Sequence, residues 1–157
     1  MEALPTLLHD LENLNLRDIM AEVSLLAGLA ISQTRTSLCH SISYPLTAHF
    51  GVPHGLACAF TMPAVLRHNL SANDGRFRRL AKLLCLEESE SKEELLHLFD
   101  RLNQQLQVAK RVRAIVGSLE ALIALREDMF TPGRANNVLA NVNNEVLQSI
   151  LIQAWEG

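Results

Sequence analysis

The chain has 157 residues, 48% of them hydrophobic and 20% charged, with a formal net charge of −3. That is the balance of about one globular domain able to bury a core, and the slight acidity argues against nucleic acid as a partner. No apolar run reaches the roughly 20 residues of a transmembrane helix, and Met1-Glu2-Ala3-Leu4-Pro5 has no basic region of the secretory kind.

In chain order the sequence reads as helices from end to end. His9 falls in a short first helix expected to fray. Leu16, Ile19, Met20, Val23, Leu26 and Ala30 recur at three- and four-residue steps, which puts them on one helical stripe. Cys39 opens a segment in which His40 and His54 stand fourteen positions apart, with Pro45, Gly51 and Pro53 between them. Those residues punctuate helices. A helix ending near His49 and another starting near His54 then fold back on each other, and the two imidazoles meet. Neutral imidazole is the commonest protein ligand for iron and zinc, so the pair is a candidate half of a metal site. Ser41-Ile42-Ser43-Tyr44 alternates with period two, and serine is a weak helix former, so a short strand stays open there.

Pro63 either kinks the helical run from Gly55 to Leu70 or divides it near Thr61, leaving a short helix that opens at His54. After the turn Asn73-Asp74-Gly75, Phe77, Leu80, Ala81 and Leu84 form another stripe. Ser91-Lys92-Glu93-Glu94 has the form of a capping box, and Leu95, Phe99, Leu102 and Leu106 follow as the buried face of a long helix. Val146, Leu147, Ile150, Leu151 and Ala154 make a final amphipathic helix behind Asn143-Asn144. The other asparagines of that region, Asn136, Asn137 and Asn141, read as turn and cap chemistry.

The basic clusters Arg76-Phe77-Arg78-Arg79 and Lys110-Arg111-Val112-Arg113 read as solvated helix faces. Cys39, Cys58 and Cys85 are odd in number and widely spaced, which suits reduced thiols in the cytoplasm rather than a disulfide framework. Cys58 reads as a small buried thiol on the helix of His54. His9, His68 and His97 read as surface or boundary histidines, and His49, at a different helical angle from His40 and His54, is expected as a ligand only if the site is vacated.

His40, the run Gly51-Val52-Pro53-His54-Gly55-Leu56-Ala57-Cys58-Ala59, Met62-Pro63 and Asn69 together resemble the C-terminal domain of the iron-containing alcohol dehydrogenases. The likeness is specific over roughly residues 30–70. It is weaker at Leu151-Ile152-Gln153-Ala154-Trp155, which looks like the family's last helix, and at Thr131-Pro132-Gly133-Arg134, which falls at an Asn-Pro-Arg-like turn. The resemblance implies an all-α helical bundle over residues 1–157, and it chooses helix for Ser41–Tyr44. It also implies four metal ligands in the intact enzyme: an aspartate, a histidine close after it, and two histidines matched here by His40 and His54. The metal would be iron or zinc.

A histidine stands four residues after the first in many family members, as a proton relay. Here that position is Tyr44, and the run Ser41-Ile42-Ser43-Tyr44-Pro45-Leu46-Thr47 resembles the branch of phosphonoacetaldehyde reductases, which implies a small anionic aldehyde as substrate. Tyrosine titrates near 10 and histidine near neutrality, so Tyr44 is a hydrogen-bond donor to the reacting oxygen rather than a carrier of protons.

The sequence departs from the resemblance in two ways. No Asp-x-x-x-His occurs in it. Its seven glycines form no phosphate loop, and no βαβ pattern exists to carry one. The expectation is a chain that starts after the first metal-binding helix and runs to the natural C-terminus of a two-domain enzyme. Its NAD or NADP would be bound by the absent domain. The chain alone would be inactive, the intact enzyme would interconvert a small alcohol and an aldehyde, and a cytoplasmic homo-oligomer is expected. Two rivals stand beside this: a non-catalytic helical scaffold or interaction module derived from the family, and a two-histidine metal-binding domain with no redox role.

Overall fold

The computed structural model describes residues 3–72, 74–84, 86, 91–130 and 137–157, with Ser91 described in its backbone only. Asn73, Cys85, Asn136 and the turn Thr131-Pro132-Gly133-Arg134 lie outside the described residues, as does the Ser91 hydroxyl of the expected capping box. Among the described residues every regular element is helical, so the all-α expectation holds.

The chain divides into two compact units, Met1–Thr36 and Ser37–Gly157. The first holds α1 (Ala3–Leu7) and α2 (Leu14–Gln33). Asn13 caps α2, its side chain accepting from the Leu16 N–H at 3.2 Å. At the other end the Thr34 hydroxyl donates to the Ala30 carbonyl at 2.9 Å. The expected helix forms, but its apolar stripe is not buried: Ile19, Val23 and Leu26 are exposed, and so are Leu25 and Leu29 on other sides.

The second unit is built around a helical hairpin, α3 (Leu38–Phe50) and α4 (His54–Asn69). Gly51 takes the left-handed conformation at φ 70°, and its N–H reaches the Thr47 carbonyl at 3.0 Å. That closes α3 in the usual glycine manner. Pro53 then precedes the first residue of α4. The expected break between the two histidines is therefore in place, one residue later than His49.

Ser41–Tyr44 lies inside α3, and the strand alternative fails. The serines are satisfied without leaving the helix: the Ser43 hydroxyl donates to the His40 carbonyl at 2.8 Å, and the Ser41 hydroxyl donates to the Met129 carbonyl. Both are buried beside the core residue Ile42, which explains the alternating pattern.

Pro63 does not divide its helix either. α4 runs for 16 residues through it. A proline supplies no N–H to the carbonyl four residues back, here Ala59. The Asn103 side-chain amide donates to that carbonyl at 2.8 Å, so the gap is filled from outside.

α4 packs against α3, α6 (Ser91–Gln105), α7 (Val108–Val116) and α9 (Asn144–Glu156). The shared core contains Leu38, Ile42, Leu46, Phe60, Val112, Leu147 and Leu151. α5 (Arg76–Leu83) turns the expected Phe77, Leu80 and Ala81 inward and leaves Arg76, Arg78 and Arg79 exposed. The long helix expected through Leu106 instead stops at Gln105, and α7 starts after Gln107, which sits at φ 52°. Arg113 departs from the solvated reading of its cluster, since it is half-buried and donates to the Trp155 carbonyl. α8 (Leu119–Ala124) is capped by Ser118, and a 3-10 turn follows at Arg126–Met129. Asn143 caps α9 by accepting from the Val146 N–H at 2.8 Å, as expected, and α9 buries Leu147, Ile150, Leu151 and Ala154.

Candidate metal centre

The hairpin brings the two expected histidines together. The His40 and His54 rings lie edge to face with centroids 5.4 Å apart. His40 stands in the first turn of α3 and His54 is the first residue of α4, so the stop at Gly51 and the restart after Pro53 set their approach.

Tyr44 is one turn along α3 from His40. Its ring stacks on His54, with centroids 5.7 Å apart and planes inclined at 21°. The Ser43 hydroxyl touches the same imidazole at Nδ1, at 3.3 Å. A hydroxyl has one proton to give. The shorter bond, to the His40 carbonyl, takes it, because a carbonyl can only accept. Ser43 Oγ is then an acceptor, and His54 Nδ1 carries the proton. The His54 Nε2 lone pair is left to ligate. An outer hydrogen bond that fixes tautomer and ring orientation is the usual companion of a ligating histidine.

Cys58 also faces this point, its Sγ 3.7 Å from His54 Nε2. One donor atom each from His40, His54 and Cys58 lie within 4.8 Å of one another. The sequence reading missed this placement, although the signal was present: Cys58 follows His54 by four residues, which is the same face of a helix. It is half-buried, not lost in the core. Burial pushes its thiol pKa up. Cys39, beside His40 in sequence, is the more deeply desolvated thiol, pushed up by burial from 9.0 to about 11.

Within this unit His49, His68 and His97 stay apart from the cluster. His49 Nε2 is 3.9 Å from an Asp128 carboxylate oxygen, with both side chains exposed. His68 bonds the Asn141 carbonyl at 3.1 Å, and His97 is exposed. Asn69 is structural. Its side-chain oxygen accepts from the Leu139 and Ala140 N–H groups at 3.1 and 3.2 Å, anchoring the segment that leads into α9.

Two imidazoles and a thiol, one of them with its tautomer fixed, suit a divalent ion of the iron or zinc class. An all-helical unit with paired imidazoles across a Gly-Val-Pro-His-Gly turn defines the class. The model of the Fe-containing alcohol dehydrogenase family, C-terminal part, matches residues 1–151, and the chain belongs to that family.

A 1,3-propanediol dehydrogenase of Klebsiella pneumoniae is 29% identical over 149 residues, covering 91% of this chain and 38% of the relative. A phosphonoacetaldehyde reductase of Streptomyces viridochromogenes is 51% identical over 43 residues, 27% of this chain and 11% of the relative. The solved structure of a 1,3-propanediol oxidoreductase superposes with a TM-score of 0.83 at 26% identity, covering 98% of this chain and 41% of that one. The chain thus spans about two fifths of the length of such full-length relatives.

Proposed function

We propose that this chain is the metal-binding helical domain of a nicotinamide-dependent alcohol dehydrogenase or aldehyde reductase. His40 and His54 are its contribution to the metal. The observation that carries this reading is the meeting of the two rings at 5.4 Å across the α3–α4 hairpin. A bound metal supplies Lewis-acid polarisation of the substrate oxygen.

The chain's own residues divide the work. Ser43 holds His54 in the tautomer that ligates through Nε2. Tyr44 packs on the His54 ring and is 36% exposed, which supports its reading as hydrogen-bond donor to the reacting oxygen. The nicotinamide belongs to residues outside these 157, in a second domain, and this chain alone is catalytically incompetent. The substrate class is a small alcohol or aldehyde. The short stretch of high identity to a phosphonoacetaldehyde reductase favours an anionic aldehyde within it. Exposed apolar residues along α2 support self-association. No described helix is long and apolar enough to cross a membrane.

Equilibrium dialysis against Zn2+ or Fe2+ tests the ligand assignment. His40→Ala and His54→Ala should each weaken uptake by roughly tenfold or more, with helicity unchanged by circular dichroism. Equal uptake by the wild type and both variants would overturn it. Alcohol or aldehyde turnover with a nicotinamide by this chain alone would overturn the claim of incompetence.

A further inference from the structure

We propose that Cys58 is a third protein donor to the metal, making this a two-histidine, one-thiolate site for a thiophilic divalent cation of the zinc class. The proposal rests on the reading of His40 and His54 as ligands.

Geometry is the first support. Zinc binds imidazole nitrogen at about 2.0 Å and thiolate sulfur at about 2.3 Å, so a tetrahedral ion holds N and S roughly 3.6 Å apart. Cys58 Sγ and His54 Nε2 stand 3.7 Å apart. That is the N–S edge of such a tetrahedron before any ion has drawn the donors in. The donors contributed by His40, His54 and Cys58 all fall within 4.8 Å of one another.

The second support is the orientation of the donors. The Ser43 hydroxyl gives its proton to the His40 carbonyl and accepts from His54 Nδ1. The lone pair of His54 Nε2 therefore lies on the side of the ring that faces Cys58. His54 and Cys58 share one face of α4, while His40 reaches the same point from α3. Three donors on two packed helices need little rearrangement to close on an ion.

The third support is the chemistry. Imidazole nitrogen and thiolate sulfur are donors that zinc takes readily, and a thiolate favours softer ions over magnesium or calcium. Binding replaces the Sγ–H bond with an Sγ–metal bond and releases the proton to solvent. No electron changes hands. The competing arrangement is a plain Sγ–H···Nε2 hydrogen bond, which also tolerates 3.7 Å.

Cobalt separates the two, because thiolate bound to Co2+ adds a near-ultraviolet charge-transfer band to the visible bands that histidine ligation alone gives. Titration of the metal-free 157-residue chain with Co2+ should give both. Zn2+ should displace both. Cys58→Ser should lose the near-ultraviolet band, keep weak visible bands, and bind Zn2+ roughly tenfold or more weakly. Cys39→Ser should keep the near-ultraviolet band.

In the wild type, Zn2+ should also shield one thiol, mapped to Cys58 by mass spectrometry, from iodoacetamide; that readout does not depend on any variant folding. Visible bands without the near-ultraviolet band, a band that survives Cys58→Ser, or unshielded Cys58 would overturn the thiolate ligand and leave the histidine pair standing. No Co2+ uptake by the wild type would overturn both.

Discussion

α2 and the α3–α4 hairpin are opposites. α2 has 20 residues, and apolar side chains lie on every side of it, yet it buries none of its residues. α3 and α4 carry a proline each and three buried hydroxyls, Ser41, Ser43 and Thr61, which helices tolerate poorly. They nevertheless form the centre of their unit. Intrinsic preference thus does not decide what a helix buries. The surroundings do: a carbonyl at Met129 takes the Ser41 proton, and an amide at Asn103 fills the gap that Pro63 leaves.

The largest test of the contrast is a matched pair of truncations. Ile42→Ala removes a side chain that is fully buried and should cost about 2–5 kcal/mol in urea unfolding. Leu26→Ala, at a position 56% exposed, should stay within about 0.5 kcal/mol. Similar losses from both would erase the distinction.

Alkaline pH sharpens it next. Cys39 on α3 has its thiol pushed up from 9.0 to about 11 because burial disfavours the thiolate. Above 9.0 the unfolded chain gives up this proton while the folded chain keeps it, so stability is full at lower pH and falls as pH rises towards 11. The loss should be about 2 kcal/mol, and Cys39→Ala should remove that part of the slope. Equal slopes in urea midpoints between pH 9 and 11 would contradict the burial.

The smallest test concerns the filled gap. Asn103→Ala leaves the Ala59 carbonyl without its donor and should cost about 1–2 kcal/mol. In a Pro63→Ala background that carbonyl regains a backbone donor, so the same change should cost less. Additive losses in the double-mutant cycle would break the link.

Much of the fold was legible in the residues. Gly51 and Pro53 marked the break between the histidines. Asn143 marked the start of α9, and the spacing of Leu147, Ile150, Leu151 and Ala154 marked its buried face. What misled were residues whose partners lie far along the chain. Ser41 looked strand-like because Met129 is 88 positions away, and Pro63 left a kink and a break both open because Asn103 is on another helix. α2 shows the limit of periodicity, which announces a helix but not what covers it. At the candidate site the histidine pair was legible from the turn between them. Cys58 and Ser43 were not, because a thiol or a hydroxyl alone has a commoner, blander meaning than its place beside His54.

The joint between Pro63 and Asn103 works as a key in a lock. An ordinary helix offers its neighbours side chains alone and can slide or rotate past them at modest cost. α4 offers the bare Ala59 carbonyl at one height, and the Asn103 amide of α6 meets it there. A flaw in the backbone of the helix that begins at His54 therefore sets the level at which its neighbour docks. Two residues remote from the histidines thus hold in alignment the rod on which one of them is mounted.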